Sequence, residues 1–245
     1  MARSRASRLA AGVLAGGVLL SIPTVAFADT TTTTTTAVSS PRCTTANFAA
    51  AQALVEKDLA NRVTQLSSLI SRVNGAGELT SSDKATLLQD LTVTELPAVQ
   101  ALVAKAPTET TCSGLIADAK SAVFGYRVYE VMTPQVDLVI VADTESAIIA
   151  KVQAVYPTVT AAIAAAQVAG RNVTAAQATF ADLQTQVTAA STAVDGVSAT
   201  VLAQTPAGAP GNWGTFKGAH VSVSNARVDL HSAAQDIGAL ISDLR

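Results

Sequence analysis

The chain has 245 residues, of which 49% are apolar, only 4% aromatic and 14% charged, with a formal net charge of −2. The first 28 residues hold three arginines and no acid, so without them the charge falls to −5, which argues against nucleic acid or an anionic membrane surface as the main partner. The apolar content comes from Ala, Val and Leu, which suit closely packed helices better than an aromatic-lined substrate pocket.

The amino terminus reads as an export signal. Arg3, Arg5 and Arg8 precede an apolar run from Leu9 to Leu20, Pro23 breaks it, and Ala26-Phe27-Ala28 supplies a small-x-small cleavage site. Cleavage between Ala28 and Asp29 predicts a secreted or cell-envelope protein. No Cys for lipid attachment stands at that bond, no later stretch approaches the roughly 20 apolar residues of a spanning helix, and the carboxyl end has no sorting pattern. Residues 29–42 follow as a low-complexity spacer. Thr30 to Thr36 is an unbroken threonine run with almost nothing to bury, so disorder is expected; an O-glycosylated stalk is the alternative.

From Thr44 onward the pattern is helical. Phe48, Val55, Leu59, Val63, Leu66, Ile70 and Val73 fall at three- and four-residue spacing, and Asn74-Gly75 ends the run. A second helix begins near Thr80–Asp83, carries Leu88, Leu91, Val99 and Leu102, is bent or divided at Pro97, and stops at Pro107. A third begins at Cys112 and runs through Ile116, Val123, Tyr126 and Val131. The β-branched run Val136–Val141 fits either a strand or a helix kinked at Pro134. The helix is favoured because no second strand-like segment exists to pair with it. Asp143-Thr144-Glu145 resembles a fresh capping turn, after which helical pattern continues to Ala169 and Gly170. Thr174 to Gln204 forms a fourth helix with Phe180, Leu183, Val187, Val194, Val197 and Val201 inward. A Pro/Gly loop, Thr205 to Gly214, leads to a last helix from about Phe216 to Leu244 carrying Val221, Val228, Ile237, Leu240 and Ile241.

The third segment is about twice as long as the others. The expected fold is therefore all-α, an elongated antiparallel bundle. Two three-helix bundles would share a long kinked central helix, over residues 43–142 and 143–245. The runner-up is a single compact bundle folded back at Pro134 or Asp143.

Cys43 and Cys112 are the only cysteines. An even count in an oxidising compartment favours a disulfide. An antiparallel hairpin between them brings both to one end, closing a loop of about 70 residues worth roughly 4 kcal/mol.

Motifs with catalytic chemistry are weak. Ser81-Ser82-Asp83-Lys84 matches S-x-x-K, but no K-T-G follows and a helix cap explains it. His220 and His231 stand about 16 Å apart along one helix, too far to share a metal. Asp229, Asp236 and Asp243 repeat every seven residues and read as a solvated stripe or an acidic docking face. Gly208, Gly211, Gly214 and Gly218 around Trp213 lack phosphate-loop spacing and follow a helix, so they read as a connector. Phe124, Tyr126 and Tyr129, with Arg127 and Glu130, form the densest patch. Tyr126, Arg127 and Tyr129 are the candidate partner or ligand surface. No catalytic residue, metal site or cofactor is expected.

The stretches Ser68–Asn74, Leu79–Leu88 and Tyr126–Tyr129 carry a resemblance, as do Thr133-Pro134-Gln135-Val136, Ala142-Asp143-Thr144 and Val173–Gln177. Across residues 44–245 the chain resembles an abundant group of uncharacterised secreted all-helical proteins of high-GC Gram-positive bacteria, of actinomycete type. The resemblance implies an extracytoplasmic helical protein and carries over no catalytic residue. The expected function is a non-enzymatic spacer or interaction module whose partner is a protein or a cell-envelope component. The alternative is a binding protein for a small apolar or envelope-derived ligand held between helices near Tyr126–Pro134.

Overall fold

The computed structural model describes residues 43–244. The export signal and the threonine spacer lie outside the described residues. Within them the fold is all-α, with no strand. No helix among them is long and apolar enough to cross a membrane. The described chain divides into two units: 43–140 with Ser198–Lys217, and Val141–Val197 with 218–244.

The first unit opens with a short 3₁₀ turn, Thr45–Asn47, and helix α1, Phe48–Gly75. Buried Leu59, Arg62, Leu66, Leu69 and Val73 alternate at three and four residues, the spacing of a narrow packing seam. Thr80 caps α2 (Ser81–Gln89), its Oγ1 accepting from the Asp83 N–H at 3.1 Å. The chain then passes through a π-helical turn, Asp90–Glu95, into α3 (Leu96–Lys105). Pro97 explains that turn. Its ring collides with a carbonyl one turn back and it has no N–H to give, so the backbone widens and the Leu96 N–H reaches Leu91 O instead. Leu87, Leu91 and Val99 are fully buried along this rod.

Helix α4 (Cys112–Lys120) follows, capped by Thr111. Cys43 and Cys112 are joined by a disulfide with their Cα atoms 5.5 Å apart, as the hairpin argument requires. Lys105 ties the corner with its Nζ 2.5 Å from Asp118 and 2.9 Å from Glu109.

The third segment departs from expectation. Pro134 does not break the third segment: it stands at the second position of α5 (Thr133–Ala154), as Pro97 does in α3, and the π-helical turn before it, with the Thr133 N–H bonded to Val128 O, repeats the arrangement at Pro97. The break lies earlier. A π-helical turn, Ser121–Gly125, ends at Tyr126, Arg127 is left-handed, and a second π-helical turn, Val128–Met132, leads into α5. The β-branched run is helical, as favoured. Asp143-Thr144-Glu145 is interior to α5 and forms no new cap: no Gly or Pro precedes it to stop the helix. Instead α5 gives way at Val155, just before Tyr156-Pro157, where α6 (Tyr156–Val168) starts.

Inside the first unit Gln135 fixes the returning chain. It is 1% exposed, and its Nε2 donates to the carbonyls of Val201, Leu202 and Gln204 at 3.1 to 3.2 Å. They lie at and just past the end of α8 (Val197–Leu202), where the helix leaves carbonyls short of partners; Val201 O also accepts from the Gln204 N–H at 3.1 Å. Arg72 pairs with Asp137, and the Gln65 amide reaches the Thr133 hydroxyl at 3.2 Å.

In the second unit the core is built from Ile148, Ile149 and Val152 of α5, Val159, Ile163 and Ala166 of α6, and facing residues of α7 (Thr174–Val194) and α9 (Asn212–Asp243). The expected fourth helix is divided at Asp195-Gly196, where Gly196 takes φ 68°. Its expected inward residues hold: Leu183, Val187, Val194, Val197 and Val201 are buried, and Phe180 packs edge-on against Tyr156 at 5.5 Å. On α9 the expected face holds at Ile237 and Leu240 and fails at Val221 and Val228. Val221 and Val228 are exposed, while Phe216, Ala219, Val223, Ala226, Leu230 and Ala233 are buried at alternating steps of three and four, and partly buried Ile237 and buried Leu240 continue the pattern. Alanine at every second seam position lets a neighbouring backbone approach, which Val would prevent.

Candidate functional site

The Tyr126–Arg127 break is where the sequence placed its candidate surface, and the structure brings those residues together. Arg127 has φ 40° and ψ 45°. A side chain in that region costs about 1–2 kcal/mol relative to a right-handed residue. The compensation is local. Its carbonyl accepts from the N–H groups of Glu130 (3.1 Å) and Val131 (2.8 Å), starting the next helical turn. Its guanidinium pairs with Glu130 and lies 5.4 Å from the centre of the Phe124 ring.

A second arginine repeats the arrangement. Arg62, buried on α1, lies 5.2 Å from the centre of the Tyr129 ring, and its Nε donates to Asp58 at 2.8 Å. Tyr129 and Phe124 are 46% and 58% exposed, so two rings are held at the surface, each with a guanidinium against it. Tyr126 is half-buried beside them. Both cations are matched by a carboxylate, Arg62 by Asp58 and Arg127 by Glu130, so the patch is locally neutral. The connector Pro206–Gly208 packs on the Ser121–Gly125 turn. It continues to Trp213, which is 63% exposed. Below the surface the space is filled: Val128, Val131, Met132, Gln135 and Val136 are all at most 2% exposed.

Other candidates are not assembled into sites. Lys84 of the S-x-x-K match donates to the Asn74 carbonyl at 2.9 Å. His231 contacts Gln235. No group of three or more His, Cys, Asp or Glu side chains among the described residues could hold a metal ion. Asp229 borders a shallow groove with Gln184, Thr185, Thr188, Thr192 and Asn225. The three threonine hydroxyls there already donate to carbonyls four residues back, at 2.7 to 3.0 Å.

Sequence reasoning missed four buried acids, Glu95, Asp118, Asp143 and Glu145, of which the two glutamates are the most perturbed. Glu145 on α5 is 2% exposed, its nearest cation is Arg227 at 3.4 Å, and neither carboxylate oxygen has a hydrogen-bond partner. Burial pushes its carboxyl up to about 7 despite the opposing pull of Arg227. Glu95 is 5% exposed and also raised to about 7, by burial and then by the charge of Asp90. The signal for Glu95 was present: it stands four residues from both Leu91 and Val99, on the core face. Arg62 was missed for the same reason, being a charged residue at a seam position.

The disulfide fits an oxidising, extracytoplasmic setting. No protein-family model, no curated protein and no solved structure matches the chain.

Proposed function

We propose that this chain is a non-enzymatic helical-bundle protein of the cell envelope or its surroundings, acting as a spacer or interaction module. It engages a protein or envelope component through the surface at Phe124, Tyr126, Arg127 and Tyr129. One observation carries the reading: two aromatic rings are kept in solvent by a strained, arginine-braced break in an otherwise helical chain. Clustered aromatic and arginine side chains at the surface are characteristic of interaction sites. Strain held at one residue is a recurrent feature of such sites. The filled interior beneath favours docking on this surface over a ligand held between the helices. The local charge balance favours a neutral or apolar contact over a strongly charged one.

The test uses the chain without residues 1–28, immobilised and exposed to envelope extract, beside the Phe124→Ala/Tyr129→Ala double variant. Retention by the wild type and loss in the variant, with unchanged helicity and melting, is the expected result. Equal retention by both removes this surface from the function. Hydrolysis of an envelope polymer by the purified chain removes the non-enzymatic reading.

A further inference from the structure

The two exposed rings of the docking surface are built alike. At Tyr129, Arg62 of α1 lies 5.2 Å from the ring centre and donates from Nε to Asp58 at 2.8 Å. At Phe124, Arg127 lies 5.4 Å from the ring centre and pairs with Glu130. In each set the guanidinium is the covered member. The side chains of Arg62 and Arg127 are 8% and 15% exposed, against 48% and 45% for Asp58 and Glu130. What meets solvent is a half-exposed ring beside a half-exposed carboxylate, both held by a covered cation. A ring that stays half exposed with a guanidinium on one face presents its other face.

The left-handed break creates the second set. In a regular α-helix positions 124 and 130 would stand about 120° apart around the axis. With Arg127 at φ 40°, one guanidinium reaches both. Tyr129 and Glu130 are chain neighbours, so the two sets are contiguous.

This combination selects among partners by chemistry. A sugar unit offers a patch of C–H groups, which the negative face of an aromatic ring attracts, and hydroxyl donors, which a fixed carboxylate accepts strongly. An anionic polymer or lipid headgroup would meet two exposed carboxylates, while the guanidinium groups that could bind it are covered. An extended proline-rich peptide presents carbonyls that need donors, and the charged groups exposed here only accept. Two like sets suit a chain of repeated sugar units over a single one.

We propose that this surface binds a neutral polysaccharide: Phe124 and Tyr129 each take the C–H face of a sugar unit, and Glu130 and Asp58 accept from its hydroxyls. The proposal rests on the docking reading of the same surface and names its partner.

The probe is envelope polysaccharide freed of protein by protease and of anionic polymers by anion exchange. The disulfide-bonded chain is run in native gels cast with increasing amounts of it. The wild type should be retarded, and Phe124→Ala/Tyr129→Ala and Glu130→Gln should each need roughly tenfold more polymer for the same retardation. No retardation of the wild type, or equal retardation of the double variant, overturns the proposal. Retention of the wild type alone by the protein or anionic fraction also overturns it, yet leaves the docking surface standing; retention by no fraction removes both. Should either variant melt unlike the wild type, the aromatic NMR signals of the wild type decide. Shifts at Phe124 and Tyr129 on adding the polysaccharide support the assignment, and two unmoved rings overturn it.

Discussion

Replacing Cys43 and Cys112 by serine should destabilise the first unit far more than the second. The bond spans a sequence separation of 69, and both partners lie in the first unit. Loop-closure entropy for a ring of that size amounts to roughly 4 kcal/mol at room temperature. Residual compactness in the unfolded chain lowers this figure, so a loss of about 2–4 kcal/mol is expected. The folded ends are held by other contacts as well: the Gln52 amide donates to Ala106 O at 2.8 Å, and Lys105 clamps Glu109 and Asp118. The folded state should therefore survive the substitution, and the change should act mainly on the unfolded chain. Urea unfolding followed by circular dichroism, with residue-level hydrogen exchange to separate the units, measures both quantities. The midpoint for α1 to α4 should fall while residues around Leu183 and Leu230 keep their protection. A loss below about 0.5 kcal/mol, or an equal loss in both units, refutes the reasoning.

Gln135→Leu removes the donor shared by three carbonyls, of which Val201 O keeps the Gln204 N–H, and should cost about 1–3 kcal/mol in urea unfolding; a change within about 0.5 kcal/mol would show the Leu202 and Gln204 carbonyls to be satisfied without it. Glu145→Gln should flatten part of the pH dependence of the second unit. Because the folded Glu145 carboxyl is raised from 4.5 to about 7, its contribution is intact below about pH 4.5 and declines until pH passes about 7. The decline is at most roughly 3 kcal/mol, and the variant should overtake the wild type at pH 8. Identical pH profiles would contradict the burial argument. Arg127→Gly should be more stable than Arg127→Ala by about 1 kcal/mol, because only glycine occupies φ 40° freely; equal melting of the two would mean the backbone there is unstrained.

Helical class, the cysteine pairing and the α7 seam were legible because each rests on local spacing or simple topology. The face of α9 was not, because hydropathy singled out Val221 and Val228, whereas packing selected the alternating positions that include Ala219, Ala226 and Ala233. The breaks divide by chemistry. Asp195-Gly196 carries a turn dipeptide, a signal that the expected unbroken helix from Thr174 to Gln204 passed over. Arg127 carries no such signal, since the left-handed position holds arginine and Gly125, two residues earlier, sits in a π-helical turn. Pro134 drew attention from the true break because a π-helical turn accommodates it and leaves the helix continuous from Val128. The aromatic cluster itself could be read from composition. The arginine from α1 that braces Tyr129 could not, because it comes from a residue 67 positions earlier whose buried placement depends on tertiary packing.

The proposed docking surface is tested most directly by photo-crosslinking in envelope extract, with an aromatic crosslinker replacing Tyr129 and, as control, exposed Val168 of the second unit. Position 129 should give a defined adduct that excess wild-type chain suppresses and excess Phe124→Ala/Tyr129→Ala chain does not. No adduct at 129, the same adduct at 168, or equal suppression by both competitors would contradict it.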